Sequence, residues 1–125
     1  MIGNRHLQSL FEYPDEDTGL NQLLELLKSK DKSFLDSLYE PVDLDECDDR
    51  EIRFLILVSA LIDYYLQLHC IGVPDWIRDK RLAFGKPYYH SKRISDFEKV
   101  RLLYTNPAPM KARNVYFDPE AIQRV

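Results

Sequence analysis

Four side chains capable of chemistry fall at steps of four, four and three along one apolar segment: Ser59, Asp63, Gln67 and Cys70. On a helix that spacing places them in a single stripe. An enclosed Asp63 could act as a general acid or base, or hold a cation. No nucleophile or base accompanies it at motif spacing, so the ordinary reading is a polar stripe that faces solvent or hydrogen-bonds a neighbouring loop. A catalyst assembled from dispersed residues, His90 with Asp63 or Asp79, is an alternative that spacing does not test.

Cys47, His69 and Cys70 are zinc-ligand types, yet neither a paired C-x-x-C nor a paired histidine motif accompanies them. The acidic runs 15–17 and 43–48 lack the glycine at position six and the glutamate at position twelve of a calcium loop, and are expected to be solvated loops and helix caps. There is no G-x-S-x-G, phosphate-binding glycine loop, dinucleotide fingerprint or zinc-protease signature.

The richest region runs from Trp76 to Arg101. There Arg78, Lys80, Arg81, Lys86, Lys92, Arg93, Lys99 and Arg101 alternate with Trp76, Phe84, Tyr88, Tyr89 and His90. Cations of this kind neutralise phosphates while aromatic faces stack on exposed bases. The same mixture suits a protein-facing surface, or a loop that packs its tyrosines on a helix. The chain is acidic overall and has no helix-turn-helix or RNA-binding motif, so the structural loop is the default reading, a protein-facing surface the next, and nucleic acid the last.

The elements that must position these residues read as helices. Leu7, Leu10 and Phe11 predict a short helix over 4–12, closed by Pro14. Leu20, Leu23, Leu24, Leu26 and Leu27 predict a second from Leu20, capped by Asp17 or Thr18. Phe34, Leu35 and Leu38 predict a third, ending near Tyr39 because Pro41 lacks an amide hydrogen. Asp48 and Glu51 have capping-box spacing and open a central helix from about Asp49 to Ile71, apolar on nearly all sides of its middle. Gly72 is expected to end it in the left-handed conformation, with Pro74 preventing resumption. Beyond Pro74 the chain is punctuated by proline and glycine and shows no strong strand alternation. Ser95 and Glu98 predict one further helix to about Thr105, with Phe97, Val100, Leu103 and Tyr104 as its apolar face. Asp118 and Pro119 predict a final turn through Ile122.

With 125 residues, 45% of them apolar, the chain is long enough for a core. Its 15 aromatic residues argue against disorder. Residues 1–6 lack the pattern of a signal peptide, and the most apolar run, Phe54 to Ile62, is far shorter than the ~20 residues that span a bilayer. Cys47 and Cys70 are too few for a disulfide framework and are expected to be free thiols in a reducing cytoplasm. Charge is split along the chain. Residues 1–75 carry 6 Lys/Arg and 16 Asp/Glu, a net of −10, and residues 76–125 carry 11 and 5, a net of +6. Such polarity can bind the two halves together, steer a charged partner, or offer the basic half to nucleic acid.

From Pro74-Asp75-Trp76 onward the chain resembles a group of small bacterial and phage proteins. The pattern is carried by Val73-Pro74-Asp75-Trp76, Lys86-Pro87-Tyr88-Tyr89, Val100-Arg101-Leu102-Leu103, Ala108-Pro109, Arg113-Asn114-Val115-Tyr116-Phe117 and Ile122-Gln123-Arg124-Val125. It departs from the pattern at Met110, where phenylalanine often stands, and at Arg93-Ile94-Ser95-Asp96. Members are sometimes encoded beside nucleotidyltransferase-type toxin genes or joined to helix-turn-helix segments, so the resemblance implies an antitoxin-like or regulatory role and carries over no catalytic residue. Trp76, Pro87 and Tyr89 are expected to anchor the irregular half on the central helix. Arg101 and Arg113 are expected to pair carboxylates or reach outward, buried pairing being the ordinary fate of an enclosed guanidinium.

The sequence therefore predicts an all-α, mainly helical single domain over 1–125. Acidic N-terminal helices (1–47) and a basic Pro/aromatic-rich wrap (73–125) cover a central helix (48–72) in a compact orthogonal arrangement, not a symmetric four-helix bundle. The expected function is a cytoplasmic, non-enzymatic, antitoxin-like protein-interaction module with a protein partner and no membrane. The alternative is a nucleic-acid-binding regulator using Arg78, Lys80, Arg81, Lys92 and Arg93. Candidate partner-binding residues are Arg78, Arg81, Tyr88, Tyr89, Arg101 and Arg113. No catalytic residue, metal or cofactor is expected, and the oligomeric state stays open.

Overall fold

A computed structural model of the chain describes residues 1–90, 95–118 and 122–125. It is mostly helical. Helices α1 (Arg5–Phe11), α2 (Glu16–Lys28) and α3 (Lys32–Ser37) precede a 3₁₀ turn at Leu44–Glu46 and the long α4 (Asp49–Leu68). A second 3₁₀ turn at Asp75–Arg78 leads to β1 (Tyr88–His90), α5 (Asp96–Thr105), α6 (Ala108–Ala112) and β2 (Val115–Phe117). Among the described residues, no helix is long and apolar enough to cross a membrane.

Each early helix begins where a short acceptor side chain can hold its free amides. Asn4 accepts from the amides of His6 and Leu7, Asp15 from Thr18, and Asp31 from Phe34. The α2 cap is Asp15 rather than Asp17 or Thr18, which starts that helix a turn earlier than leucine spacing alone predicts. Asn4 is fully buried and also donates to the Ser37 carbonyl at 2.8 Å, tying α1 to the end of α3. At Gly19 the α1–α2 crossing leaves no room for a side chain, since a Cβ there would lie 2.5 Å from the Leu10 carbonyl oxygen.

α4 opens with the predicted capping box: Asp48 accepts from the Glu51 amide at 2.8 Å and Glu51 accepts from the Asp48 amide at 3.1 Å. Every residue from Phe54 to Asp63 is buried. Helices α2 and α6, the second 3₁₀ turn and β2 all pack against it. Apolar burial on that scale, at ~1.5–3 kcal/mol per large aliphatic side chain, holds α4 in place more than its intrinsic helix preference does.

The end of α4 corrects the sequence reading. The helix stops at Leu68, and Cys70, not Gly72, adopts the left-handed conformation, at φ 55°. The amides of Cys70 and Ile71 close back on the Gln67 and Leu66 carbonyls at 3.2 and 2.8 Å, a Schellman closure around a non-glycine residue. The early turn lets the following loop return to α3. Tyr39 donates its hydroxyl to the Gly72 carbonyl, and the Trp76 indole N–H donates to the Leu38 carbonyl at 2.7 Å.

The C-terminal half contains two strands that the sequence did not announce. β1 and β2 pair in parallel, Tyr88 against Val115 and His90 against Phe117, with α5 and α6 in the crossover that parallel pairing requires. Asn114, at φ 56°, turns the chain into β2 and donates to the Phe84 carbonyl. The predicted anchors divide. Trp76 holds the segment to α3 and the core, Tyr89 stacks on Tyr116 within the wrap, and Pro87 is exposed. Most of the apolar face predicted for α5 turns outward: Phe97, Val100 and Tyr104 are 77%, 54% and 79% exposed, Leu103 is half-buried, and Leu102 is the residue that enters the interior. Pro119 of the predicted final turn, and Lys92, Arg93 and Ile94, lie outside the described residues.

Candidate functional site

Three members of the predicted stripe lie on α4 and the fourth, Cys70, falls past its end, and the first two face inward. Ser59 and Asp63 are buried, whereas Gln67 and Cys70 are exposed. What they meet is Arg113, at the end of α6. Its Nη2 donates to Asp63 Oδ2 at 2.9 Å and to the Ile77 carbonyl at 2.6 Å. Nε reaches Ser59 Oγ at 3.1 Å and Nη1 the Pro109 carbonyl at 2.8 Å. A planar fork is the one cationic side chain that can satisfy four acceptors in fixed directions at once. Asp63 Oδ1 also accepts from Gln67 at 2.8 Å and from Arg78 at 3.4 Å.

Burial alone would raise the Asp63 carboxyl. The Gln67 hydrogen bond, the Arg113 charge and hydrogen bond and the Arg78 contact outweigh it, so the group sits below the usual carboxylate range. Burial pulls the Arg113 guanidinium down against the raising effect of Asp63, and it stays charged. Because the folded Asp63 holds its proton less tightly than the unfolded one, its stabilisation is complete above the unfolded value of ~3.9 and is lost as pH falls through the folded value. Urea unfolding followed from about pH 5 to pH 2 should therefore show an acid-dependent loss that Asp63→Asn reduces. Equal slopes for the two proteins would refute this.

A half-open cavity of about 480 Å³ lies beside this pair, between α4, α6 and the loop after Asp75–Arg78. Polar and charged Asp63, Gln67, Arg78, Asp79, Lys80 and Arg113 line it together with Leu82, Ala83, Ala108, Pro109 and Ala112.

Comparison with protein families, curated proteins and solved structures finds no match for this chain.

The remaining candidates occupy separate places. Arg81 is exposed and bound by Asp79, at 3.1 Å from Nε and Nη2, and by Asp45 at 2.6 Å. Tyr88 accepts a hydrogen bond from Arg53, whose guanidinium also holds Glu16 on α2. Tyr89 is half-buried, with the Lys99 ammonium 5.7 Å above its ring. Arg101 is exposed and makes no ion pair among the described residues. His90 contacts Asp17 at 3.1 Å and Phe117 rather than the Asp63 cluster, so the dispersed acid–base pairing is not assembled. Cys47 is a poor nucleophile, its thiol pushed up by burial and by Glu51 and donating to the Asp43 carbonyl. Cys70 is a free, exposed thiol. No cluster of three metal-binding side chains occurs among the described residues.

Sequence reasoning missed Asn106, which is buried and pairs through both ends of its amide with the backbone of Phe117. Its only signal is the Asn106-Pro107 dipeptide, which reads simply as a turn. Much of the charge split is consumed inside the molecule. Arg78, Arg81 and Arg113 from the basic half pair with Asp63 and Asp45 from the acidic half, and Arg124 reaches Glu25 at 3.8 Å.

Proposed function

We propose that the chain is a cytoplasmic, non-enzymatic protein-interaction module of antitoxin-like type, built as an orthogonal helical scaffold around α4 with the C-terminal segment as its binding side. The observation that supports this most is the outer face of α5. Phe97, Val100 and Tyr104 stand one turn apart, all exposed, with Arg101 beside them. Aromatic residues and arginine are the residue types enriched where binding energy concentrates in protein interfaces. The pairing of Arg81 with Asp45 and Asp79, and of buried Arg113 with Asp63, leaves fewer cations to neutralise phosphates, which favours a protein partner over a nucleic acid.

The test is affinity purification of the protein at two salt concentrations, with nuclease treatment, beside a Phe97→Ser/Tyr104→Ser variant. One protein held in a fixed ratio, insensitive to nuclease and bound about tenfold or more weakly by the variant, is the expected result. The variant should melt within a few degrees of the parent, because neither side chain is in the core. Equal capture by both proteins would sink the role of α5, and turnover of a substrate lost on mutating a clustered site would sink the non-enzymatic reading.

The alternative, a nucleic-acid-binding regulator using Arg78, Lys80, Arg81, Lys92 and Arg93, keeps Lys80 exposed and without an ion pair among the described residues, while Lys92 and Arg93 lie outside them. It predicts affinity that falls steeply with salt. Fluorescence anisotropy with single- and double-stranded DNA and RNA that shows no binding at low salt removes it.

A further inference from the structure

The cavity beside Asp63 is lined by small apolar side chains together with cationic ones. Ala83, Ala108 and Ala112 line it with side chains too short to fill it. Within this lining Arg78 has one N–H on Asp63 at 3.4 Å, and its side chain is 58% exposed. A guanidinium carries five donors, so most of them have no partner among the described residues. Lys80 is exposed and has no ion pair among the described residues. The carboxylates nearby do not oppose an incoming anion: Asp63 is covered by Gln67, Arg78 and Arg113, and Asp79 is turned onto Arg81.

We infer that this cavity binds a carboxylate carried on a short apolar body, with the oxyanion on Arg78 and Lys80 and the carbon chain against Ala83, Ala108 and Ala112. Charge selects the carboxylate over a phosphate dianion. The lining sets Arg78, Lys80 and Arg113 against Asp63 and Asp79, a surplus of one positive charge, which a single carboxylate neutralises. The volume of about 480 Å³ lies within the range of sites that enclose small molecules. Asp63 is a positioning residue here, holding Arg78 in the lining, and Arg113 holds Asp63 in place.

Two sources offer this chemistry: a free small organic acid, and a glutamate side chain on a peptide. Titration of the isotope-labelled protein, followed by amide chemical shifts, separates them when pentanoate, its neutral isostere pentanamide and an acetyl-glutamyl peptide amide are used as probes. Pentanoate is expected to saturate near ~1 mM and to move the amides of Gln67, Ala108 and Ala112. Pentanamide should bind about tenfold more weakly or worse. Arg78→Gln and Lys80→Gln, both on exposed side chains, should each weaken pentanoate about fivefold to tenfold, and Lys111→Gln should leave it unchanged. Saturation by pentanoate alone supports a free acid, and saturation by both acids admits a side chain as well. No saturable shift by about 10 mM, equal binding of the amide, or indifference to both cation substitutions overturns the inference. Because α5 does not line this cavity, its failure leaves the partner-binding reading untouched.

Discussion

Arg113→Met is expected to destabilise the fold by about 3–5 kcal/mol, read as the shift in urea midpoint at constant slope. The side chains of Asp63 and Arg113 are 4% and 6% exposed, so removing the guanidinium leaves a carboxylate away from water with only Gln67 and the exposed Arg78 to offset it. Three further acceptors, Ser59 Oγ and the carbonyls of Pro109 and Ile77, lose their donor in the same substitution. Against a total stability of about 5–15 kcal/mol, this is a large fraction. The double variant Asp63→Leu/Arg113→Met removes the orphaned charge and should recover part of the loss, the orphaned carbonyls keeping recovery incomplete. A single-variant loss under about 1 kcal/mol would mean that water or a relaxed backbone replaces the guanidinium, and that the pair does not organise the junction of α4, α6 and the Asp75–Arg78 turn.

How much of this site the sequence exposes depends on distance along the chain. Ser59, Asp63 and Gln67 are legible because helical spacing is a local rule, and Asp48 with Glu51 because a capping box closes within four residues. Arg113 lies 50 residues from Asp63, and no local pattern names its partner. Composition foretold polarity between the halves without saying which cation meets which carboxylate. β1 and β2 escaped because each has three residues, too few for alternation to register.

The misread end of α4 and the misread face of α5 have a different cause. Gly72 is the residue that local propensity selects, yet a side chain added there would meet nothing within 4 Å. The left-handed turn falls at Cys70 because the returning loop must bring Gly72 to Tyr39 and Trp76 to Leu38. On α5, spacing detects an apolar face but carries no information on which side the core lies. The interior takes Leu102 there, with Leu103 half-buried and Asn106 beyond the helix end, and Phe97, Val100 and Tyr104 are left to solvent. A local rule overridden by long-range contact explains the first case. In the second, the face fits no role in the fold, which is why it serves as the argument for a partner.

Phe117→Ala is expected to cost about 3–5 kcal/mol, because the side chain is 1% exposed within the core and its removal leaves a cavity there. The effect should also be uneven. Phe117 holds β2 against β1, meets His90 edge-on at 5.4 Å, and exchanges both backbone hydrogen bonds with Asn106 at the end of α5. Loosening it should therefore raise amide exchange across residues 84–90 and 102–117 well before α4 opens. The consequence reaches the proposed interface. If α5 presents Phe97 and Tyr104 from a frame fixed by Asn106 and Phe117, partner capture should weaken in Phe117→Ala although neither contact residue has changed. Exchange that rises uniformly through α4 would show the wrap and the central helix to be one cooperative unit. Unchanged stability and exchange would mean that the strand pair contributes nothing to holding α5.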